Sequence, residues 1–426
     1  MKEYHIEGGH PLSGAIRASG NKNAALPCIA AALLTDDPVV LKNIPDIEDV
    51  HVMLDVYRAL GGDVTPLSPN SYRLCTKNIA SSEIPLEHAK KIRASILFAG
   101  PLLARTGRAA LPPPGGDVIG RRRLDTHFLA LTELGASVRQ DDMFTFTASR
   151  LTGNDVFLDE ASVTATENGV MAAALAKGET IFTNAASEPH VQDLCRMLTR
   201  MGAHIEGIGS NILTIRGVKK LSGCEFEVGA DFMEVGSFIG LAAATRGELF
   251  IEGAAIPDIR PAKTAFRKLG VIWEHEGVIL HVPKEQDLAV NCDVGGMIPK
   301  IDDAPWPGFP PDLMSIITVA ATQVQGAVLV HEKMFESRMF FVDKLIGMGA
   351  RIVLCDPHRA VISGPSELTG SELHSPDVRA GMALVIAAMA AKGKSVIRNV
   401  YQIERGYENL VGRLSALGAV IQEKDV

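Results

Sequence analysis

At 426 residues, with 46% hydrophobic and 22% charged residues, the chain is sized for two globular domains rather than one core. A net charge of −8 and an aromatic content of 5% argue against non-specific nucleic-acid binding and against base-stacking platforms. Local basic clusters could still hold a small anionic substrate. No run of about 18 uncharged apolar residues occurs, and the start MKEYHIEGGHPLSG lacks the apolar core of a secretory signal. The expectation is therefore no membrane span and a cytoplasmic location. Cys28, Cys75, Cys195, Cys224, Cys292 and Cys355 are scattered without a CxxC pair, which reads as isolated thiols rather than a zinc site or disulfide framework.

Two elements alternate along the chain. The first is an Ala/Leu/Ile/Met-rich helix, a turn and a short strand, seen at 24–44 as AALPCIAAALLTDDPVVLKNI and, in a more degraded copy, at 96–111. It returns as NGVMAAALAKGETIFTNAA at 168–186 and VGSFIGLAAATRGELFIEGA at 235–254. Its last copies are LMSIITVAATQVQGAVLVHE at 313–332 and GMALVIAAMAAKGKSVIRNV at 381–400. Between these lies a helix-ending tripeptide: Leu60-Gly61-Gly62, Leu134-Gly135-Ala136, Met201-Gly202-Ala203, Leu269-Gly270-Val271, Met348-Gly349-Ala350 and Leu417-Gly418-Ala419. Each is followed by a β-branched residue (Val64, Val138, Ile205, Ile272, Ile352, Ile421), so glycine is expected to end a helix in the left-handed conformation and a strand to begin at once.

The first kind of helix is apolar on nearly every face, which predicts burial rather than a surface position. The spacing of roughly 70 residues is too long for a linear solenoid. Six helix–strand–helix–strand units, grouped three and three, predict two α/β domains with internal pseudo-threefold symmetry.

Several strings identify the family. SGNKNAALP (19–27), RASILFAGPLLAR (93–105), PGGDVIGRRRLDTH (114–127), GFPPDL (308–313), FESRMFFVDKL (335–345) and IERGYENL (403–410) resemble, in collinear order, the UDP-N-acetylglucosamine 1-carboxyvinyltransferase family of enolpyruvyl transferases. The related shikimate-pathway family shares fold and chemistry, but these strings are closer to the cell-wall enzymes. The resemblance implies the two-domain inside-out α/β barrel, each domain three repeats with buried helices and outward sheets. It further implies one domain over 22–230, with a mobile catalytic loop at 112–122, and a second over 1–21 plus 231–426, with the site in the cleft between them. The implied substrates are phosphoenolpyruvate and a UDP-sugar. The enolpyruvyl group would pass to the 3-hydroxyl of UDP-N-acetylglucosamine with release of phosphate, the first committed step of peptidoglycan precursor synthesis.

Such a reaction needs cations for a phosphate and a carboxylate, an acid that protonates the methylene carbon, and a base for the sugar hydroxyl. By resemblance, Lys22, at a helix start suited to anions, contacts phosphoenolpyruvate, and Asn23 contacts the nucleotide sugar. Arg93, Arg122, Arg379 and Arg405 match family arginines around the same anion, where a guanidinium can make two bonds at once. Arg121 and Arg123 flank Arg122; they face solvent or help with the diphosphate. Asp117 stands where many members carry cysteine, and a carboxylic acid can donate the proton in its place. Lacking that thiol, the enzyme is expected to be fosfomycin-resistant. Asp312 is implied as the base, the alternative being an N-cap for the following helix.

Leu124, Asp125, His127, Ser162, Val163, Met334 and Phe335 match the nucleotide-binding positions, with Arg93, Arg122 and Asp312 also touching the sugar nucleotide. Two departures stand out: Glu160 replaces a lysine, and Thr164 a glycine. Glu160 keeps open the same chemistry on another uridine nucleotide, such as UMP in nucleoside-antibiotic biosynthesis. A non-catalytic nucleotide-binding paralogue and a shikimate 3-phosphate acceptor are weaker alternatives. No GxxxxGK[ST], GxGxxG, GxSxG or metal-ligand pattern is present, so neither cofactor nor metal is expected, and the sequence defines no oligomeric state.

Overall fold

The computed structural model describes residues 2–116, 120 and 123–425. Their contacts divide into two compact units, one formed by residues 20–116 and 123–229, the other by residues 2–19, 120 and 230–425.

Each unit is built from three copies of one motif. In the first, the copies begin with the buried helices Lys22–Ala31, Ala99–Thr106 and Val163–Ala173. In the second they begin with Phe232–Thr245, Met314–Ala321 and Val378–Ala390. Every residue of Phe232–Thr245 is buried, in keeping with its uniformly apolar sequence. Each buried helix leads to a strand, an outer helix and then a hairpin. In the third copy these are Glu179–Thr183, Pro189–Arg200, and the pair His204–Glu206 and Ile212–Arg216. The unit read from sequence therefore lacked one strand. The second hairpin strand pairs antiparallel with the strand that follows the buried helix. In the sixth copy the amino-terminal strand Lys2–Gly8 takes that place, lying between Gly393–Arg398 and Val420–Asp425.

A short parallel edge strand completes five of the six sheets: Asp155–Phe157, Glu225–Glu227, Ser13–Arg17, Lys300–Asp302 and Glu372–His374. In the remaining sheet a single parallel bridge, Glu83 to Ala110, stands in its place.

The six helix-ending glycines behave as one device. Gly61, Gly135, Gly202, Gly270, Gly349 and Gly418 have φ of 100°, 97°, 104°, 73°, 103° and 93°, a region costly for any residue with a Cβ. One copy departs from the expected immediate strand. After Gly270 the chain leaves Ile272 exposed, and the strand starts only at Glu274. Among the described residues no helix is long and apolar enough to cross a membrane.

Phe232–Thr245, Met314–Ala321 and Val378–Ala390 each pack on the other two, while Val163–Ala173 packs on both Ala99–Thr106 and Lys22–Ala31, and small residues permit the approach. At Gly100 the backbone N–H donates to the Asn168 Oδ1 at 2.6 Å, and an added Cβ would lie 2.5 Å from the Asn168 carbonyl oxygen. Gly100→Ala is thus expected to destabilise the protein by about 1–3 kcal/mol, the usual cost of overpacking a tight core. Chemical denaturation would read this as a lower midpoint; an unchanged midpoint would show that the helices can separate freely.

Candidate active site

In the unit formed by 20–116 and 123–229, the first buried helix is capped by Asn21, whose side chain accepts from the Ala24 N–H at 3.2 Å. Lys22 is consequently the first helical residue and Asn23 the second. The Lys22 Nζ lies 2.9 Å from Oδ2 of Asp49, a buried acid on the helix Glu48–Ala59 that no motif in the sequence singles out. Arg93 opens the 3₁₀ segment Arg93–Phe98, which packs against the Lys22 helix, and its Nη2 donates to the Arg123 carbonyl at 2.8 Å.

That bond leads into a connected corner. Arg123 pairs with Asp125 at 3.1 Å and Asp159 at 3.2 Å, and the Thr126 hydroxyl donates to the other Asp159 oxygen at 2.7 Å. His127 is buried, with Nε2 3.0 Å from the Thr164 hydroxyl. Its Nδ1 lies 3.1 Å from the Asn168 amide nitrogen, which can only donate, so the ring is neutral with its proton on Nε2. Leu124 is half-buried beside it. Ser162 and Val163 stand at the start of the helix Val163–Ala173, where Ser162 makes no side-chain cap. The structure thus brings Arg93, Leu124, Asp125, His127, Ser162 and Val163 to one end of this unit. Glu160 is exposed at its rim. Asp117, Arg121 and Arg122 lie outside the described residues.

The unit formed by 2–19 and 230–425 is organised around Asp312. This residue sits in the 3₁₀ turn Pro311–Leu313 rather than at an N-cap, which removes the capping alternative. Its carboxylate meets two buried guanidiniums: Oδ1 lies 3.0 Å from Arg338 Nη2, and Oδ2 lies 3.0 Å from Arg379 Nε. Arg379 also donates to the Tyr407 hydroxyl at 3.2 Å, and its Nη2 stands 4.0 Å from Asp231. Burial works against the Arg379 charge, but Tyr407, Asp312 and Asp231 outweigh it; burial also raises the Asp231 carboxyl above its ordinary range. Arg405 is buried nearby in sequence, donating to the Gln402 side chain at 2.7 Å.

Met334 and Phe335 give both backbone N–H groups to Oε1 of Glu332, each at 3.1 Å, so a nucleotide contact there falls to their other atoms. The Phe335 ring lies under Arg338, 4.9 Å from centroid to guanidinium carbon. Arg338, Asp231, Tyr407 and Glu332 went unassigned in the sequence. Arg338 stands inside the FESRMFF string, and Asp231 precedes an apolar run as an N-cap does, accepting from the Met233 N–H at 2.8 Å.

The corner around His127 yields a pH prediction. Burial chiefly, with the Arg93 charge adding, pushes His127 down to about 3. The unfolded chain takes up a proton near pH 6.5 that the folded chain refuses, so this group lowers stability as pH falls from about 6.5 toward 3, by about 1.4 kcal/mol per pH unit. Denaturation at pH 7 and pH 5 should show roughly 2 kcal/mol of loss that His127→Gln does not share. Parallel losses in both proteins would contradict a neutral, buried ring.

Comparison with known proteins agrees with this organisation. The family model for EPSP synthase (3-phosphoshikimate 1-carboxyvinyltransferase) matches residues 6–414. The UDP-N-acetylglucosamine 1-carboxyvinyltransferase of Treponema denticola is 69% identical over 425 residues, covering 100% of both chains. Those of Treponema pallidum and Borreliella burgdorferi are 66% and 58% identical, each covering 99% of both chains. Among solved structures, an enolpyruvyl transferase from Streptomyces tendae superposes with a TM-score of 0.88 at 24% identity, over 100% of this chain and 99% of that one. EPSP synthase from Acinetobacter baumannii gives 0.76 at 17% identity, with 100% of each covered, so the two-domain inside-out α/β fold is shared well beyond sequence similarity. The chain belongs to the enolpyruvyl transferase family and, within it, groups with the UDP-N-acetylglucosamine 1-carboxyvinyltransferases.

Proposed function

We propose that this enzyme transfers the enolpyruvyl group of phosphoenolpyruvate to the 3-hydroxyl of UDP-N-acetylglucosamine, releasing phosphate, in the cytoplasm and at the entry to peptidoglycan precursor synthesis. The observation that carries the chemistry is the Asp312 carboxylate, aimed from both sides by Arg338 and Arg379 at 3.0 Å. Asp312 takes the hydroxyl proton as that oxygen bonds to C2 of phosphoenolpyruvate. Asp117 gives a proton to C3, which makes C2 electrophilic. Loss of a C3 proton and of inorganic phosphate then regenerates the double bond on the transferred group. Lys22, Arg93, Arg122 and Arg405 supply the positive charge that holds the phosphate and carboxylate. Asn23, Leu124, Asp125, His127, Ser162, Val163, Met334 and Phe335 form the nucleotide-sugar side, with His127 acting as a packed support.

The acceptor follows from the relatives at up to 69% identity over the whole chain, and its test is phosphate release with each candidate in turn. UDP-N-acetylglucosamine should be turned over, whereas UMP and shikimate 3-phosphate should not. Turnover of UMP alone would reassign the acceptor, and no turnover of any would favour a binding protein. Asp312→Asn should lower kcat by about 10²–10⁴-fold, the range for a lost general base, and near-normal turnover would remove Asp312 from that role.

Fosfomycin, an epoxide that alkylates a loop thiol, meets a carboxyl at Asp117. Incubation with it should cause no time-dependent loss of activity, while Asp117→Cys should become susceptible. A covalent adduct on the wild-type loop would refute this.

A further inference from the structure

Behind Arg338 stand two acids that the proposed reaction does not use. Strands Lys300–Asp302 and Gly326–His331 pair in parallel with Asp302 opposite His331, and this register sets the next residues, Asp303 and Glu332, side by side. Both are fully buried. Asp303 Oδ1 accepts the Lys333 N–H at 2.6 Å, and Glu332 Oε1 accepts the two amides of Met334 and Phe335. The other oxygens, Asp303 Oδ2 and Glu332 Oε2, lack a donor, and the neighbouring Arg338 Nε–H, 3.8 Å from Glu332 Oε2, lacks an acceptor. Two ionised carboxylates can only accept, so they would leave both orphan oxygens unsatisfied and place two negative charges in a dry site. One proton between them turns one oxygen into a donor and satisfies both.

We propose that Asp303 and Glu332 share a single proton and that this acid–carboxylate pair holds Arg338 against Asp312 without drawing its charge away. Glu332 is thereby a positioning residue, and the inference rests on Asp312 being the base. It acts by two routes: its Oε2 faces Arg338, and its Oε1 fixes the amide of Phe335, whose ring backs the same guanidinium. Burial, reinforced by Asp303, pushes the Glu332 carboxyl up to about 9. The other ionisable groups around the pair are otherwise engaged. The Lys333 amine bonds Asp302 at 2.8 Å, and His358 Nδ1 meets the Glu332 carbonyl at 2.8 Å. When the shared proton leaves at alkaline pH, the second negative charge competes with Asp312 for Arg338, and turnover falls.

The test compares kcat and KM for phosphate release from about pH 6 to about pH 10 in wild type, Glu332→Gln, Glu332→Ala and Asp312→Asn. Glutamine keeps an N–H donor toward Asp303 and an acceptor for the two amides. It should restore kcat at neutral pH to within about threefold of wild type and shift or abolish the alkaline fall. Alanine should lose more than about tenfold, in kcat rather than KM. Glutamine as impaired as alanine, alanine equal to wild type, or the same alkaline fall in wild type and Glu332→Gln would each overturn the proposal. Should alanine fail to fold, the alkaline limb of the glutamine variant decides alone. An active Asp312→Asn would overturn the base assignment and this inference together, whereas an inactive one beside unaffected Glu332 variants would overturn only this inference.

Discussion

One buried cation organises the unit that carries Asp312. Arg379 sits in the first turn of the helix Val378–Ala390, at the positive end of the helix dipole, where a guanidinium is disfavoured. It is tolerated there because it reaches acids at the starts of the other two buried helices: Asp231, which caps Phe232–Thr245, and Asp312, which precedes Met314–Ala321. Tyr407 adds a hydroxyl that is itself bonded to Ser237 at 2.8 Å. Breaking a buried pair by removing one partner costs about 3–5 kcal/mol, against about 0–1 kcal/mol for an exposed pair such as Arg139–Asp141. This network, rather than the many surface pairs, therefore fixes how the three helix starts meet and where the Asp312 carboxylate points.

The other unit uses the same scaffold with the opposite charge. Its buried helices and 3₁₀ segment begin with Lys22, Arg93 and Ser162, basic or hydroxyl groups set where helix dipoles already favour anions. Lys22 has a buried acid beside it, Asp49 at 2.9 Å. Repetition supplies six equivalent helix starts, and the chemistry lies in which residue each one carries. Acids at two starts of one unit meet the buried Arg379 at the third; cations at the starts of the other have the chemistry that suits phosphate and carboxylate.

The repeat was legible because its marker is a conformational necessity: only glycine enters the left-handed region cheaply, and all six predicted glycines do so. The uniformly apolar helices were legible for a related reason, since burial on every face leaves no polar stripe. The edge strands were not. Glu225–Glu227 and Lys300–Asp302 show one buried residue between charged neighbours, too short for an alternation to emerge. The Asp303–Glu332 pair was equally hidden, because Glu332 in a string such as HEKMFESR reads as a solvated charge. Its burial follows from strand register, which a single sequence does not display. Arg338 stood within a family string yet had no assigned task until Asp312 was seen beside it.

The two departures at the nucleotide corner differ in kind. Thr164, in place of glycine, is absorbed inside the unit: its hydroxyl takes the Nε2 proton of His127 and so supports the neutral ring that Asn168 holds from the other side. A glycine there would leave that buried N–H without this partner, so the threonine and the buried histidine belong together. Glu160 has no such compensation and remains exposed beside Arg123, whose charge is already shared between Asp125 and Asp159. Three acids thus surround Arg123 at this rim. Arg93 and the start of the helix Val163–Ala173 are half-buried on this side, and a guanidinium and a helix start are both groups whose chemistry suits an anion.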